Sequence, residues 1–397
     1  MASSSPHGLI YTAPPLTSED EAVLGEIHQM RKEMRHSLRK PKRWVGGLRR
    51  ASRAKALKSS NSIEGIEVTE DDAAAVVGGE EPVTADEKTA LDVQGYQRAM
   101  DYVLTAADDP HATYEAAELR AMHFMLIQHE PSKSPGRFRS GPVSVYDEEN
   151  ERVVYEGPDA EKVPALVEDL ITALRRENST DPIVRSAMAH LNLVMIHPFK
   201  DGNGRMARAL ATLVLTRSDI GEPVFSSIEE WLGASKANTL DYYAVLAHTG
   251  HGRWAPRPDP HMWLTFNLRA HHIQAQTVAR RFTEASRYWT RLEELANQHG
   301  LPDRVMDALF DAVLGYGVRR SGYMKRSNVE GHTATRDLSL LTDVELLTAH
   351  GSGRGRFYTA GAPLLTLRAS VKGDREPLRD PYPWLRPRLA EPTAARP

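Results

Sequence analysis

The chain has 397 residues, of which 41% are hydrophobic and 26% charged, and its formal net charge is −3. This is the composition of a folded protein of two or three domains, and so balanced a charge excludes a general polyanion binder, leaving any basic surface local. The absence of cysteine excludes disulfides, thiolate metal sites and a thiol nucleophile and fits a reducing cytoplasm, while no signal-peptide pattern or membrane-length apolar run is expected.

Strand signals are few and helical periodicity is widespread, so the expected fold is mainly α. Residues 1–17 read as a flexible arm, and 18–40 as a helix. The basic stretch 39–58, which contains Trp44 and Leu48, reads as a solvated helix face, with a surface for an acidic partner as the alternative. A helix through 51–63 ends at Gly65. Gly78, Gly79 and Pro82 mark a linker, and helices over 84–107 and 112–128 follow. Two β-branched runs, 143–146 and 152–155, flank a polar turn, which is a hairpin signal. Further helices are expected at 159–177, 182–196, 204–217 and 238–248. After a Pro-rich break at 256–260, a long helix spans 261–298. These elements divide the chain into an N-terminal helical region (18–110), a core (111–260), connecting helices (261–300), a compact unit (301–362) and a flexible tail (363–397), whose Pro- and Arg-rich sequence suggests no structure.

The chemistry concentrates at the junction of two of these helices. Asp181 is a good N-cap and Pro182 suits the first helical position. Apolar residues then recur at helical spacing up to Met195, and Pro198 disfavours helical geometry at His197. A loop through Asp201, Gly202, Asn203 and Gly204 leads into the next helix. Two glycines around an asparagine at a helix start form a ring of backbone N–H groups, and the helix dipole adds positive potential: an anion site suited to phosphates. Arg205 and Arg208 lie three apart on the first turn and can reach further phosphate oxygens. Asp201 beside such a nest makes sense if a cation such as Mg²⁺ bridges carboxylate and phosphate. His197 is the one group here that exchanges a proton near neutral pH.

The run His197-Pro198-Phe199-Lys200-Asp201-Gly202-Asn203-Gly204-Arg205-Met206-Ala207-Arg208 resembles the full signature of the Fic family of protein adenylyltransferases, and the wider likeness spans roughly 40–360. The resemblance implies a Fic-type helical bundle with a β-hairpin flap that holds a target segment by strand addition. It also implies transfer of AMP from Mg-ATP to a Ser, Thr or Tyr hydroxyl of an unidentified target protein. His197 would take the hydroxyl proton and Asp201 would hold Mg²⁺. Asn203 and the backbone of Gly202 and Gly204 would cradle the phosphates, next to Lys200. Arg205 would contact the phosphates and Arg208 the γ-phosphate, while Phe199 would anchor the loop. The run 238–243 resembles the helix that encloses adenine, with Tyr242 or Tyr243 at the pocket or in the core. Upstream, Ser60 to Gly65 matches the Ser-x-x-x-Glu-Gly inhibitory motif, which implies that Glu64 pairs with Arg208 in cis. Transfer of another nucleotide, removal of AMP with Glu64 aligning a water, and a nucleotide-sensing DNA regulator are the alternatives.

In the 301–362 unit, a helix, a second helix and a basic Gly-rich hairpin resemble the winged-helix module appended to many Fic cores. Lys325, Arg326, Arg336, Arg354 and Arg356 supply local positive charge, but only His332, Thr335 and Arg336 of the second helix suit base reading. Protein docking or homodimer formation is therefore favoured over DNA, and no membrane partner is expected.

Overall fold

The computed structural model describes residues 10–38, 42–106, 109, 111–147, 151–176, 180–218, 225, 227–256 and 259–391. The N-terminal elements are α1 (Ser18–Leu38), α2 (Val45–Ile63), α3 (Glu70–Val77), α4 (Glu87–Ala106) and α5 (Ala116–Ile127). A hairpin, β1 (Ser144–Asp147) and β2 (Arg152–Glu156), precedes α6 (Val163–Arg175), α7 (Pro182–Ile196) and α8 (Asn203–Arg217). Then come α9 (Glu229–Leu232), α10 (Lys236–Gly250) and the long α11 (His261–Gln298). The C-terminal part contains α12 (Met306–Leu314), β3 (Val318–Arg319), α13 (Arg320–Ser327), α14 (Gly331–Asp343), β4 (Leu347–His350), β5 (Phe357–Ala360), α15 (Ala362–Gly373) and α16 (Leu385–Leu389). Its three strands form an antiparallel sheet in the order β3-β5-β4. No helix among the described residues is long and apolar enough to cross a membrane.

Local sequence explains the start of the key helices. Thr17 and Asp20 cap α1 reciprocally: the Asp20 amide donates to Thr17 Oγ1 and the Thr17 amide to Asp20 Oδ2. Asp181 Oδ1 accepts the Ile183 amide at 2.8 Å, with Pro182 opening α7. In α6, Val163, Leu166, Val167, Leu170, Ile171 and Leu174 form one buried stripe. Helices α7 and α8 pack as the central pair, and residues of α2, α4, α5 and α6 complete the core around them. A second core joins α1, α7, α10 and α11. The third is shared by α11, the C-terminal unit and Met34, Trp44, Val45 and Leu48 of the N-terminal region.

Three expectations require correction. The tail is not free up to residue 391. It forms α15 and α16, buries Tyr382 and Leu385, and runs as a strap tied down by Arg375–Glu284 and Arg269–Asp380 ion pairs. Arg375, Arg379 and Arg386 of the tail meet Glu284, Glu26 and Asp241 on other elements. The inner part of the N-terminal arm is also packed: Tyr11 is buried, donates its amide to Asn192 Oδ1 at 2.8 Å and accepts from Asn192 Nδ2 at 3.0 Å. Residues 1–9 and 392–397 lie outside the described residues. Finally, the described part of the basic stretch, 42–58, is not a solvated face throughout. Trp44 and Leu48 are core residues, and Arg43, Arg50, Arg53 and Lys55 pair with Asp303, Asp311, Asp101 and Glu70 of the same chain.

Candidate active site

Helix α7 ends because Pro198 denies its predecessor helical geometry. His197 takes the left-handed conformation instead, φ 50°, at the helix C-cap, a strained choice for a residue with a Cβ. Its Nδ1 lies 2.9 Å from the Val194 carbonyl oxygen. A carbonyl only accepts, so the proton is on Nδ1, and Nε2 carries the lone pair of a base. Burial pushes the His197 pKa below the usual histidine range, against the opposing effects of the Val194 carbonyl and the Glu64 charge. The imidazole is therefore neutral at pH 7.

The loop after it is braced from within. Phe199 is fully buried and stacks on His123, with ring centroids 3.8 Å apart. Asn203 Nδ2 donates to the Phe199 carbonyl, and Asn203 Oδ1 accepts the Phe199 amide, both at 2.9 Å. Both polar atoms of the buried Asn203 side chain thus clamp the loop, and what Asn203 offers at the start of α8 is its backbone amide. Gly202 has φ 74° and caps α8, a conformation that favours glycine.

Asp201 lies at the mouth of this nest. Burial raises its carboxyl pKa, but Lys133 at 2.9 Å, the Gly202 amide at 2.6 Å and Arg205 outweigh that and hold it below the usual carboxylate range. A partly exposed, ionised carboxylate beside a ring of backbone amides has the chemistry of a Mg²⁺ ligand, and Asp201 would hold such an ion. Lys133 is the counter-charge such an ion would displace. Lys200 reaches the Ser132 carbonyl at 3.0 Å from an exposed position. Arg205 turns to Asp92 of α4, at 3.2 Å, and is itself buried.

Arg208 lies 2% exposed on the next turn. Its Nη2 donates to Glu64 Oε1 at 2.7 Å and to the Ser60 carbonyl at 2.8 Å, and its Nε donates to Ser60 Oγ at 2.8 Å. Burial pulls its pKa down, but Glu64 and the neighbouring Tyr242 and Tyr96 outweigh this and keep the guanidinium charged. The Glu64 carboxylate also lies against Gly204, where any added methyl group would collide with it. It therefore occupies the α8 N-terminus, where an anionic ligand is expected. Gly65, with φ 75°, ends α2 so that Glu64 projects from its C-cap.

Tyr242 is a core residue, hydrogen-bonded to His190 Nε2 at 2.9 Å and packed near Trp263 and Phe266. Tyr243 is partly exposed and donates its hydroxyl to the Ile63 carbonyl at 2.6 Å, one residue before Glu64. The structure thus brings His197, Asp201, the Gly202–Gly204 amides, Arg208, Ser60 and Glu64 together and directs Arg205 and Tyr242 into packing.

Some positioning groups gave no sequence signal. Arg139, buried, donates to the carbonyls of His197 (2.8 Å), Gly141 (2.8 Å) and Pro158 (2.5 Å), so it joins the last turn of α7 to the hairpin. Tyr155 of β2 adds a bond to the Met195 carbonyl at 2.6 Å. His123 Nε2–H donates to the Asp201 carbonyl at 3.1 Å, while its Nδ1 accepts the Gly136 amide at 2.9 Å. In the sequence Arg139 is one arginine among several in a turn-rich run, and only the fold reveals which carbonyls need it.

Residues 113–215 match the Fic/DOC family. Protein adenylyltransferase Fic of Nematostella vectensis is 30% identical over 200 residues, 50% of this chain and 43% of that protein. Protein adenylyltransferase fic-1 of Caenorhabditis elegans is 33% identical over 138 residues, 34% of this chain and 24% of that one. The chain therefore spans less than half the length of these curated relatives. The crystal structure of a Fic family protein from Desulfovibrio desulfuricans superposes with a TM-score of 0.56 at 22% identity, covering 88% of this chain and 98% of that one. At such identity the likeness speaks for the fold. The sequence match falls on the segment that holds the His197 loop and the nest, and the chain carries a Fic domain.

Proposed function

We propose that this chain transfers AMP from Mg-ATP to a hydroxyl group of a target protein and is restrained in cis by Glu64. The observation that carries the reading is the pairing, at one helix N-terminus, of a base with its lone pair on Nε2 and an anion nest closed by the protein's own carboxylate. The α8 amides would bind the phosphates and Arg208 the γ-phosphate once Glu64 leaves. Asp201 would hold Mg²⁺, which supplies charge neutralisation for the phosphates. His197 Nε2 takes the proton of the target hydroxyl as its oxygen bonds to the α-phosphorus. The bond from that phosphorus to the β-phosphate bridging oxygen breaks, and pyrophosphate leaves. Positioning and charge stabilisation do most of the work in such transfers. The target would lie along the hairpin, where Tyr146 and Val153 are exposed.

The test is incubation of Glu64→Gly protein with α-labelled ATP and a cell lysate, followed by mass spectrometry. A label of AMP mass on Ser, Thr or Tyr of a protein is expected. A protein that binds ATP yet labels nothing, itself included, would overturn the reading. Because Glu64 also lies where it could align a water for AMP removal, the same labelled product is then incubated with wild-type protein. Stability of the label excludes removal.

A further inference from the structure

We propose that Arg386 is a positioning residue for the inhibitory contact: the C-terminal strap clasps α10, and α10 holds the helix end that presents Glu64. This rests on the reading of Glu64 as the restraint. The strap is anchored along its length. Arg280 donates to the Glu376 carbonyl at 3.0 Å, and the Arg379 amide to Gln276 Oε1 at 2.9 Å. Tyr382 donates to Asp20 Oδ1 at 2.9 Å. The strap ends on α10, where Leu385 is wholly buried in the core that contains Tyr242 and Val245. There Arg386 Nε donates to Asp241 Oδ2 at 2.6 Å, and Nη2 to Asn238 Oδ1 at 2.8 Å. Asp241 also meets Arg269 at 3.4 Å, and Arg269 pairs with Asp380 of the strap, so both arginines tie α10 to the tail.

Two residues beyond Asp241, the Tyr243 hydroxyl supplies a donor to the Ile63 carbonyl. That carbonyl is among the last of α2, which have no partner within their own helix. The next residue is Glu64. A path of direct contacts thus runs from Arg386 through α10 and Tyr243 to the base of the Glu64 side chain. The Arg386 side chain is 44% exposed, so its clasp is a modest one, a bias of about threefold in the latch equilibrium. Leu385 is the stronger anchor.

The test is hydrogen exchange of the Glu64, Gly65 and Ile66 amides in the full chain. Arg386→Ala is expected to speed it about threefold, Arg386→Lys less, and Leu385→Asp about tenfold, since a buried charge expels the strap end. In a Tyr243→Phe background Arg386→Ala is expected to add nothing, because the two lie on one path. Self-labelling from α-labelled ATP should rise by the same factors when Glu64 is present and not at all beside Glu64→Gly. Unchanged exchange at 64–66 in both Arg386→Ala and Leu385→Asp, with the fold intact by circular dichroism, overturns the proposal. Additivity with Tyr243→Phe overturns it as well. Faster exchange with no labelling in any variant, Glu64→Gly included, supports the strap and refutes the transfer reading instead.

Discussion

At the residue scale, the proposed base role of His197 rests on one hydrogen bond. With Nδ1–H committed to Val194, only Nε2 can accept the target proton. His197→Ala is expected to lower transfer by about 10²–10⁴ while leaving nucleotide affinity nearly unchanged, because the side chain lies outside the amide nest. Transfer above a tenth of the wild-type rate would remove His197 from the base role. Its depressed pKa keeps the base free of a proton at mildly acidic pH, so the acid limb of kcat/KM is expected below about 6.5. Asp201→Ala is expected to abolish the Mg²⁺ dependence of ATP affinity, measured by calorimetry. Equal Mg-ATP affinity in variant and wild type would refute the metal role. Glu64→Gly frees Arg208 and weakens the end of α2. If about one molecule in a hundred is competent in the wild type, self-labelling rises roughly 100-fold. Arg208→Ala should show no such gain, since it would also lose the proposed γ-phosphate contact. Equal labelling of wild type and Glu64→Gly at matched folding would leave Ser60–Gly65 a mere helix end.

At the element scale, the α7–loop–α8 junction is held by groups from other helices, and His123 of α5 is chief among them. It bonds as a neutral ring, and burial lowers its pKa to about 4. Its unfolded value is near 6.5. Between these two values the unfolded chain binds a proton that the folded one refuses, so this contribution to stability falls as pH drops from about 6.5 to 4, by on the order of 3 kcal/mol. Urea unfolding at pH 7 and pH 4.5 should show a smaller pH effect in His123→Gln than in the wild type. Identical pH dependence would show that His123 is not the group. This junction also divides what the sequence disclosed from what it withheld. Helices 182–196 and 261–298 were legible to the residue because prolines and periodicity agree there, with the Asp181 cap added at the first. The His197–Arg208 run disclosed the nest because its chemistry is contiguous. Arg139, His123 and Lys133 were illegible, since each serves a carbonyl or carboxylate remote in sequence. The run named the residue types at 203 and 205 but not the directions of their side chains, which the fold turns to Phe199 and to Asp92.

At the scale of the whole molecule, the C-terminal unit is bonded to the helix that carries the inhibitory motif. Arg50 of α2 pairs with Asp311 at 3.0 Å, and Asp311 also binds Arg326. The Tyr316 hydroxyl donates to Glu70 at 2.9 Å, the Gly317 amide to Asp71 at 2.6 Å, and Lys325 to the Gly78 carbonyl at 3.4 Å. Of the charges counted above for a nucleic acid, Arg326 thus pairs within the chain, while Lys325, Arg336 and Arg356 are exposed. Packing tightens the joint: a methyl group at Gly47 would come within 2.8 Å of the Phe310 ring. Phe310 is 1% exposed in a core that also contains Trp44, Leu48 and α11 residues such as Trp289, whose ring lies 5.6 Å from its own. A core shared across the chain is expected to make the 301–362 unit unfold together with the rest. Phe310→Ala leaves a cavity in it and is expected to cost about 3–5 kcal/mol. Calorimetry should then show the main transition of the entire protein shifted down, α2 included. If the variant instead melts in two steps, with the 301–362 unit lost first and the α7–α8 core unmoved, the unit is an independent domain and the shared core does not couple it to the site.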